Sequence, residues 1–291
     1  MIRSLKENRA VSFVVIFLVY ILAGAGGIAV YNFLSTPVWL SLLIADIVAT
    51  VITFMFSCIL SNASVYDPYW SVQPIVIMVA LTIKNGFHEA ALWAMVAVII
   101  WGIRLTLNWG YSFKNLNAQD WRYTMLYKKS GKFYPLVNFF GIHLFPTLVV
   151  YACILPAVYL FNEPYELTPV GVVCFLISIG AVVLQATADH QMQSFRQKHQ
   201  GELIHAGLWK HSRHPNYLGE ILMWWGIGLY SVLTMKGPFY LLSGALVNTL
   251  MFIFISVPLA EGRQSAKPGF EEYKKQTRMF LPLKKRSSVE E

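Results

Sequence analysis

Between Gly207 and Gly226 the chain reads GLWKHSRHPNYLGEILMWWG. Lys210, His211, Arg213 and His214 crowd together, and an apolar run carrying Glu220 follows at once. Pro215 suits the first position of a helix, where its missing N–H is no loss. On that helix Asn216 and Glu220 are spaced i, i+4 and share a side. A helix start has free N–H groups and a positive dipole end, so with these cations beside it the stretch has the chemistry of a phosphate site. A row of basic residues at a lipid headgroup interface has the same composition.

Three other sets of polar residues interrupt apolar sequence. LQATADHQMQSFRQKH, 184–199, places Gln185, Asp189 and Arg196 on one face if the helix before them continues through it. NASVYDPYWSVQP, 62–74, packs Tyr66, Asp67, Tyr69, Trp70 and Gln73 into one short segment. The residue before Pro68 is biased toward an extended conformation, which predicts a chain break at Asp67. A break lined by a carboxylate and phenols suits gripping a ligand within a membrane; interfacial aromatic anchoring is the other reading. Asp46 and Arg104 lie inside apolar runs, where a charge points either to a functional site or to an internal ion pair holding helices in register.

Metal chemistry is not indicated. Five of the seven histidines lie between 190 and 214, yet only His211 and His214 form a close pair and no second box answers them. Cys58, Cys153 and Cys174 sit in apolar runs without zinc spacing, and read as small buried hydrophobes.

The elements that must position these groups are membrane helices. Of 291 residues, 56% are hydrophobic and 13% charged, too few charges to coat a water-facing surface. Apolar runs of about 20 residues match the length a helix needs to cross a bilayer. The fold class is all-α, a polytopic transmembrane helical bundle of about eight spans, near 11–31, 37–60, 71–83, 89–110, 136–160, 167–188, 216–235 and 238–258. The third is short and reads as re-entrant, tilted or broken. The first is too long for a signal-peptide core and lacks a small-residue cleavage site. With eight spans the N-terminus (Arg3, Lys6, Arg9), the 111–135 and 189–215 loops and the segment after 258 share one side, while Lys84 and Lys236 are the Lys or Arg of the other. The positive-inside rule makes the basic side cytoplasmic, with both termini there.

SRHPNYLGE at 212–220, an apolar span, and KPGFEEYKKQTRMFLP at 267–282 resemble the steroid 5-alpha-reductase C-terminal domain. YDPYW (66–70), WGIRL (101–105) and DWRY (120–123) resemble its bacterial branch, a domain of unknown function (number 1295) related to sterol reductases and isoprenylcysteine methyltransferases. The resemblance covers roughly residues 40 to 283. It implies an N-terminal tail and extra helix over 1–36, a seven-span reductase-like domain over 37–283, and a disordered tail over 284–291. It further implies a bacterial inner-membrane enzyme that uses NADPH to reduce a carbon–carbon double bond conjugated to a ketone in an apolar, lipid or steroid-like substrate. The implied cofactor set is Arg104, Arg122, Tyr123, Asp189, Arg196, Arg213, Asn216, Glu220, Arg263 and Lys267, with Asn216 and Glu220 at the adenine end. In the family a tyrosine three residues before the span-four arginine meets the substrate ketone. Here Trp101 stands there, and an indole cannot deliver a proton as a phenol does. That role passes to Tyr66 or Tyr69, with Asp67 as proton donor and Trp70 and Trp101 against the substrate.

An R-H-P-x-Y-x-G-E-like stretch also occurs in membrane methyltransferases that bind S-adenosylmethionine, and is the principal rival. A non-catalytic receptor or lipid-binding scaffold is the third reading. Nucleic acid is not an expected partner; membrane lipids are.

Overall fold

The computed structural model describes residues 6–281. Arg3 and the 284–291 segment lie outside the described residues. The chain is an all-α polytopic bundle, and seven of its described helices are long and apolar enough to cross a membrane. In chain order α1 is Arg9–Phe33, α2 Val38–Ile59, α3 Tyr69–Asn85, α4 Glu89–Ser112, α5 Trp121–Ser130 and α6 Phe145–Tyr159. They are followed by α7 Pro169–Lys198, α8 Pro215–Met235, α9 Ser243–Met251, α10 Val257–Gln264 and α11 Phe270–Gln276. α1 starts, α2 ends, α3 starts, α4 ends, α7 ends, α8 starts and α10 ends on one face, called here the loop face; the opposite turn face has short connections.

Four boundaries differ from the sequence expectation. The 111–135 segment is not a loop throughout: α5 occupies most of its second half and runs without interruption into α6, giving helical structure from Trp121 to Tyr159. Asp120 starts it by accepting the Arg122 N–H at 2.8 Å. α7 extends ten residues beyond 188, and the last span continues to Gln264. α3 is unbroken, a 17-residue helix that carries Pro74 inside it.

Asp67 is not extended. Its φ and ψ are −50° and −45°, and its N–H bonds the Ser64 carbonyl at 3.2 Å. A 3-10 turn over Ala63–Tyr66 carries the chain straight to Pro68, the cap of α3, where a missing N–H leaves nothing unpaired. The break falls at Ser61, with φ of 49°, and Asn62, whose side chain caps the Ser64 N–H at 2.8 Å.

Two π-helical stretches, Val137–Leu144 and Phe252–Ser256, each end just before a proline, Pro146 and Pro258. A proline ring lacks the N–H for its i−4 carbonyl and clashes with it, so the ladder shifts by one residue ahead of it.

The centre of the bundle is α7 against α8, the most extensive helix pair. Small residues permit it: a Cβ on Gly219 would lie 2.8 Å from the Ala181 carbonyl, and one on Gly226 would strike Ser178. α9 meets α6 in the same way at Gly244, where a Cβ would land on the Ala152 carbonyl. In a helix Gly→Ala gains about 0.8–1.0 kcal/mol of propensity, whereas overpacking costs about 1–3 kcal/mol. Backbone cannot rotate away as a side chain can, so the clash outweighs the propensity gain. Gly244→Ala therefore lowers the melting temperature in detergent, while Gly180→Ala, with open space around its Cβ, leaves it unchanged or raises it.

Candidate functional site

Three polar stripes with helical spacing meet near the loop face. α4 contributes Trp101, Arg104 and Asn108; α7 contributes Gln185, Asp189 and Gln193; α8 contributes Asn216, Glu220 and Trp224. Arg104 Nη1 pairs with Asp189 Oδ2 at 2.7 Å, and Nη2 donates to Gln185 Oε1 at 2.5 Å. Asn216 Nδ2 donates to the other Asp189 oxygen at 3.1 Å. Gln193 Nε2 donates to Asn108 Oδ1 at 2.5 Å. Asp189 thus ties α4, α7 and α8 at one point. Because α7 continues to Lys198, Asp189 and Arg196 do share a face.

One turn deeper, Glu220 is sealed from the loop face. Its two oxygens accept the indole N–H groups of Trp101, at 2.8 Å, and Trp224, at 2.9 Å. Trp101 is fully buried, with the Trp70 ring 6.0 Å from its own and the Trp224 ring 4.8 Å away. These residues form an aromatic core beneath the Asp189 cluster. Asp46 and Arg104 do not pair with each other: Asp46 belongs to a different cluster between α2 and α3, whose bonds run to Tyr69 and Gln73.

Above the Asp189 cluster lies a cavity of about 280 Å³. Asp189, Arg196, Asn216 and Tyr217 form one side, and Trp209, Glu261, Gln264 and Tyr273 the other. Its roof is the C-terminal segment, held by residues first singled out as phosphate ligands. Arg213 Nε and His214 Nε2 meet Glu261 Oε1 at 2.8 and 3.1 Å. Arg213 also donates to the Thr277 carbonyl, and the backbone N–H groups of Arg213 and His214 bond the Arg278 and Met279 carbonyls. Arg213 is therefore largely committed to anchoring. Lys210 and His211 are exposed and do not line the cavity.

Arg196, Arg263 and Lys267 are different. They come from the end of α7, from α10 and from the turn after it, yet lie close enough to repel one another. Among the described residues none of the three is in an ion pair. Burial and the two arginines lower the Lys267 ammonium below its ordinary pKa. The Arg263 guanidinium lies 4.9 Å from the centre of the Trp121 ring, linking this cluster to α5. Nearby buried polar atoms stand without partners: Arg104 Nε, Gln185 Nε2 and Gln264 Oε1. Such atoms are uncommon in folded proteins and mark places where a ligand or water completes the bonding. Among the described residues no group of three or more His, Cys, Asp or Glu is placed to hold a metal.

The three proposed reacting groups after α2 face three ways. The Tyr66 hydroxyl meets Thr147 at 2.8 Å beside His143. Tyr69 donates to Asp46 at 2.8 Å. Asp67 accepts the Tyr123 hydroxyl at 2.6 Å. Burial pushes the Asp67 carboxyl up from 3.8 to about 6, against the opposing pull of Arg122 and of the Tyr123 bond. Arg122 and Asp120, ion-paired at 2.8 Å, act electrostatically both on Asp67 and on Tyr217 in the cavity wall. Arg122 and Asp120 thus link Asp67 electrostatically to the cavity wall, although none of Tyr66, Asp67, Tyr69 and Tyr123 lines the cavity. Glu261, Tyr217 and the Asn108–Gln193 pair went unremarked in the sequence; the i+4 row Gln185, Asp189, Gln193, Gln197 is the signal that reveals the last.

The chain belongs to the family described as "Protein of unknown function (DUF1295)", whose model matches residues 53–277. An uncharacterized protein of Schizosaccharomyces pombe is 25% identical over 263 residues, covering 78% of this chain and 71% of that protein. No solved structure matches.

The raised Asp67 carboxyl has a consequence for stability. A group that binds its proton more tightly folded than unfolded favours folding below its unfolded pKa, and that contribution disappears as pH rises through the folded value. Melting temperature in detergent, measured between pH 4 and 8, therefore declines through about 6 in the native chain relative to Asp67→Asn; parallel curves for the two would contradict the assignment.

Proposed function

We propose that this family member is an NADPH-dependent membrane oxidoreductase that reduces a carbon–carbon double bond conjugated to a ketone in a lipid-like substrate. The observation that carries the reading is the cluster Arg196, Arg263 and Lys267, in no ion pair among the described residues, whose Arg196 lines a polar cavity at the first turn of α8. Three cations held together by the fold repel one another, and a polyphosphate relieves that repulsion. The start of α8 adds its free N–H groups and dipole. The cavity is at the small end of the usual size for ligand pockets, about 300–1,000 Å³, so it suits one end of a dinucleotide rather than all of it.

NADPH supplies hydride when bound. Arg196, Arg263 and Lys267 are suited to its phosphates, and Asp189 and Asn216, oriented by Arg104, to its hydroxyl and amide groups. Glu220 acts beneath them by fixing Trp101 and Trp224, not by direct contact. Arg122 and Tyr123, on the continuous α5–α6 run, act on Asp67, Tyr123 by a hydrogen bond and Arg122 by its charge. With its carboxyl raised to about 6, Asp67 keeps enough of its acid form near neutrality to give a proton to the α-carbon or the oxygen of the enolate left when the β-carbon takes hydride. The distribution of Lys and Arg puts the loop face, and with it the nucleotide cavity, in the cytoplasm; a bacterial inner membrane is the setting that accords with the resemblance.

A thermal-shift series in detergent with NADPH, NADH and S-adenosylmethionine tests the cofactor. A ligand at a hundredfold its dissociation constant adds roughly 2.7 kcal/mol of apparent stability. NADPH is expected to raise the melting temperature, and Arg196→Ala and Arg263→Ala to abolish the rise while their unliganded melting stays near native. Stabilisation by S-adenosylmethionine alone would overturn the reading in favour of methyl transfer.

Once an enone substrate is found, turnover at saturating NADPH should fall about tenfold per pH unit above about 6, as the Asp67 acid form is lost. Asp67→Asn should be slow and lack that limb. A native profile without it would remove Asp67 from the proton transfer.

A further inference from the structure

A second cavity, of about 500 Å³, lies between α1, α2 and α3. Its walls are almost wholly apolar, and small residues make the room: Gly24 and Gly27 on α1, Ala45 and Ala49 on α2, Ala80 on α3. α1 packs along α2 at Gly27, where a Cβ would sit 3.0 Å from the Ala45 carbonyl. α3 makes few close backbone approaches to either helix and packs mainly against α4 and α6. The space is therefore a lateral cleft on the α1 side of the bundle, rimmed by the exposed side chains of Ile28, Val76 and Ile83. Protein interiors seldom leave voids much larger than a water molecule, so a cleft of this size inside a membrane is filled by something apolar.

At its inner end the cleft has one polar feature. Asp46 Oδ1 accepts from Tyr69 at 2.8 Å and Oδ2 from Gln73 Nε2 at 2.6 Å, bridging α2 and α3 across the space. All three residues line the cleft and are more than nine-tenths buried. Gln73 Oε1 is buried without a partner. A passive helix–helix bridge does not require an orphaned acceptor, and leaving one costs about 1–3 kcal/mol. An acyl chain or a ketone cannot satisfy it, because neither has a hydrogen to donate. A hydroxyl can, and its own oxygen remains free to accept the second hydrogen of Gln73 Nε2, the single Tyr69 hydrogen being already given to Asp46. Gln73 and Lys84, the latter at the outer rim, are eleven positions apart on α3, a rise of roughly 16 Å. Lys84 there donates to the Tyr31 hydroxyl at 3.0 Å, closing the rim toward the turn face.

We propose that the cleft between α1, α2 and α3 is a binding site for a lipid alcohol, an apolar molecule about 16 Å long whose hydroxyl is received by Gln73 and Asp46 at the inner end. The site is separate from the nucleotide cavity: none of Asp67, Tyr123, Asp189, Arg196 or Asn216 lines it. It does not rest on the oxidoreductase reading, and it assigns to α1 the task of walling a ligand pocket.

Photolabelling of the full chain in nanodiscs tests this, using 1-dodecanol carrying a diazirine at its far end and, as comparison, the matching methyl ether. The alcohol is expected to label peptides of α1 and α3, with unlabelled 1-dodecanol competing on the order of tenfold better than its methyl ether, the ratio set by one hydrogen bond to a buried acceptor. Gln73→Leu should erase that preference. Ala80→Phe, which fills the cleft without touching the polar end, should reduce labelling at an unchanged melting temperature, and it decides the matter if Gln73→Leu does not fold. Equal competition by alcohol and ether, or full labelling of Ala80→Phe, would mean that bilayer chains alone occupy the cleft and would overturn the proposal. NADPH binding is scored separately, so failure here leaves the oxidoreductase reading intact.

Discussion

The ion pair between Arg104 and Asp189 is the constraint on which the loop-face half of the molecule depends. Both side chains are mostly buried, at 14% and 16% exposure, and a buried charge is tolerated only when paired and hydrogen-bonded. Gln185 and Asn216 complete the bonding, which fixes α4, α7 and α8 in one register. That register sets Glu220 under Trp101 and places the first turn of α8 at the floor of the polar cavity. Glycines at 219 and 226 make it attainable by letting α7 and α8 approach closely enough for an asparagine to reach across.

A division of labour among the cations follows. Arg104 is spent on Asp189, Arg213 on Glu261 and the C-terminal segment, and Arg122 on Asp120. Each is oriented by a carboxylate and serves the architecture first. Arg196, Arg263 and Lys267 are in no ion pair among the described residues, although Asp189 attracts Arg196 from a distance and Lys267 donates to the Glu202 carbonyl at 2.7 Å. Like charges held close together are unfavourable for the isolated chain, and this distinguishes the three from the cations whose carboxylate partners tie helices together.

The two cavities suit different chemistry. One is polar, lined by charges of both signs and at the loop face; the other is apolar, lateral and capped by a single acceptor cluster. At the second stand the stacked rings of Tyr66 and Tyr69, 5.3 Å apart, whose hydroxyls point in different directions, to Thr147 and to Asp46. Residues three positions apart thus send their hydroxyls to different helices, because a 3-10 turn followed by a helix start sets each at a different angle.

The sequence by itself determined the all-α membrane fold and the segregation of basic residues to one face, since both depend on apolar run length and charge alone. It also marked Asp189, Arg196, Asn216 and Glu220 through helical spacing and the cost of charge in an apolar run. It could not assign partners, because a spacing says which residues share a face and not which helix that face meets. So Asp46 and Arg104, each legible as anomalous, are unconnected, and Glu220 proved a support for two indoles. Asp67 came out helical because a local turn outweighed the bias imposed by Pro68. The cleft behind α1 was invisible for the same reason: glycines and alanines read as ordinary membrane-helix residues until the tertiary structure sets three helices' small faces toward one another and leaves Gln73 without a donor.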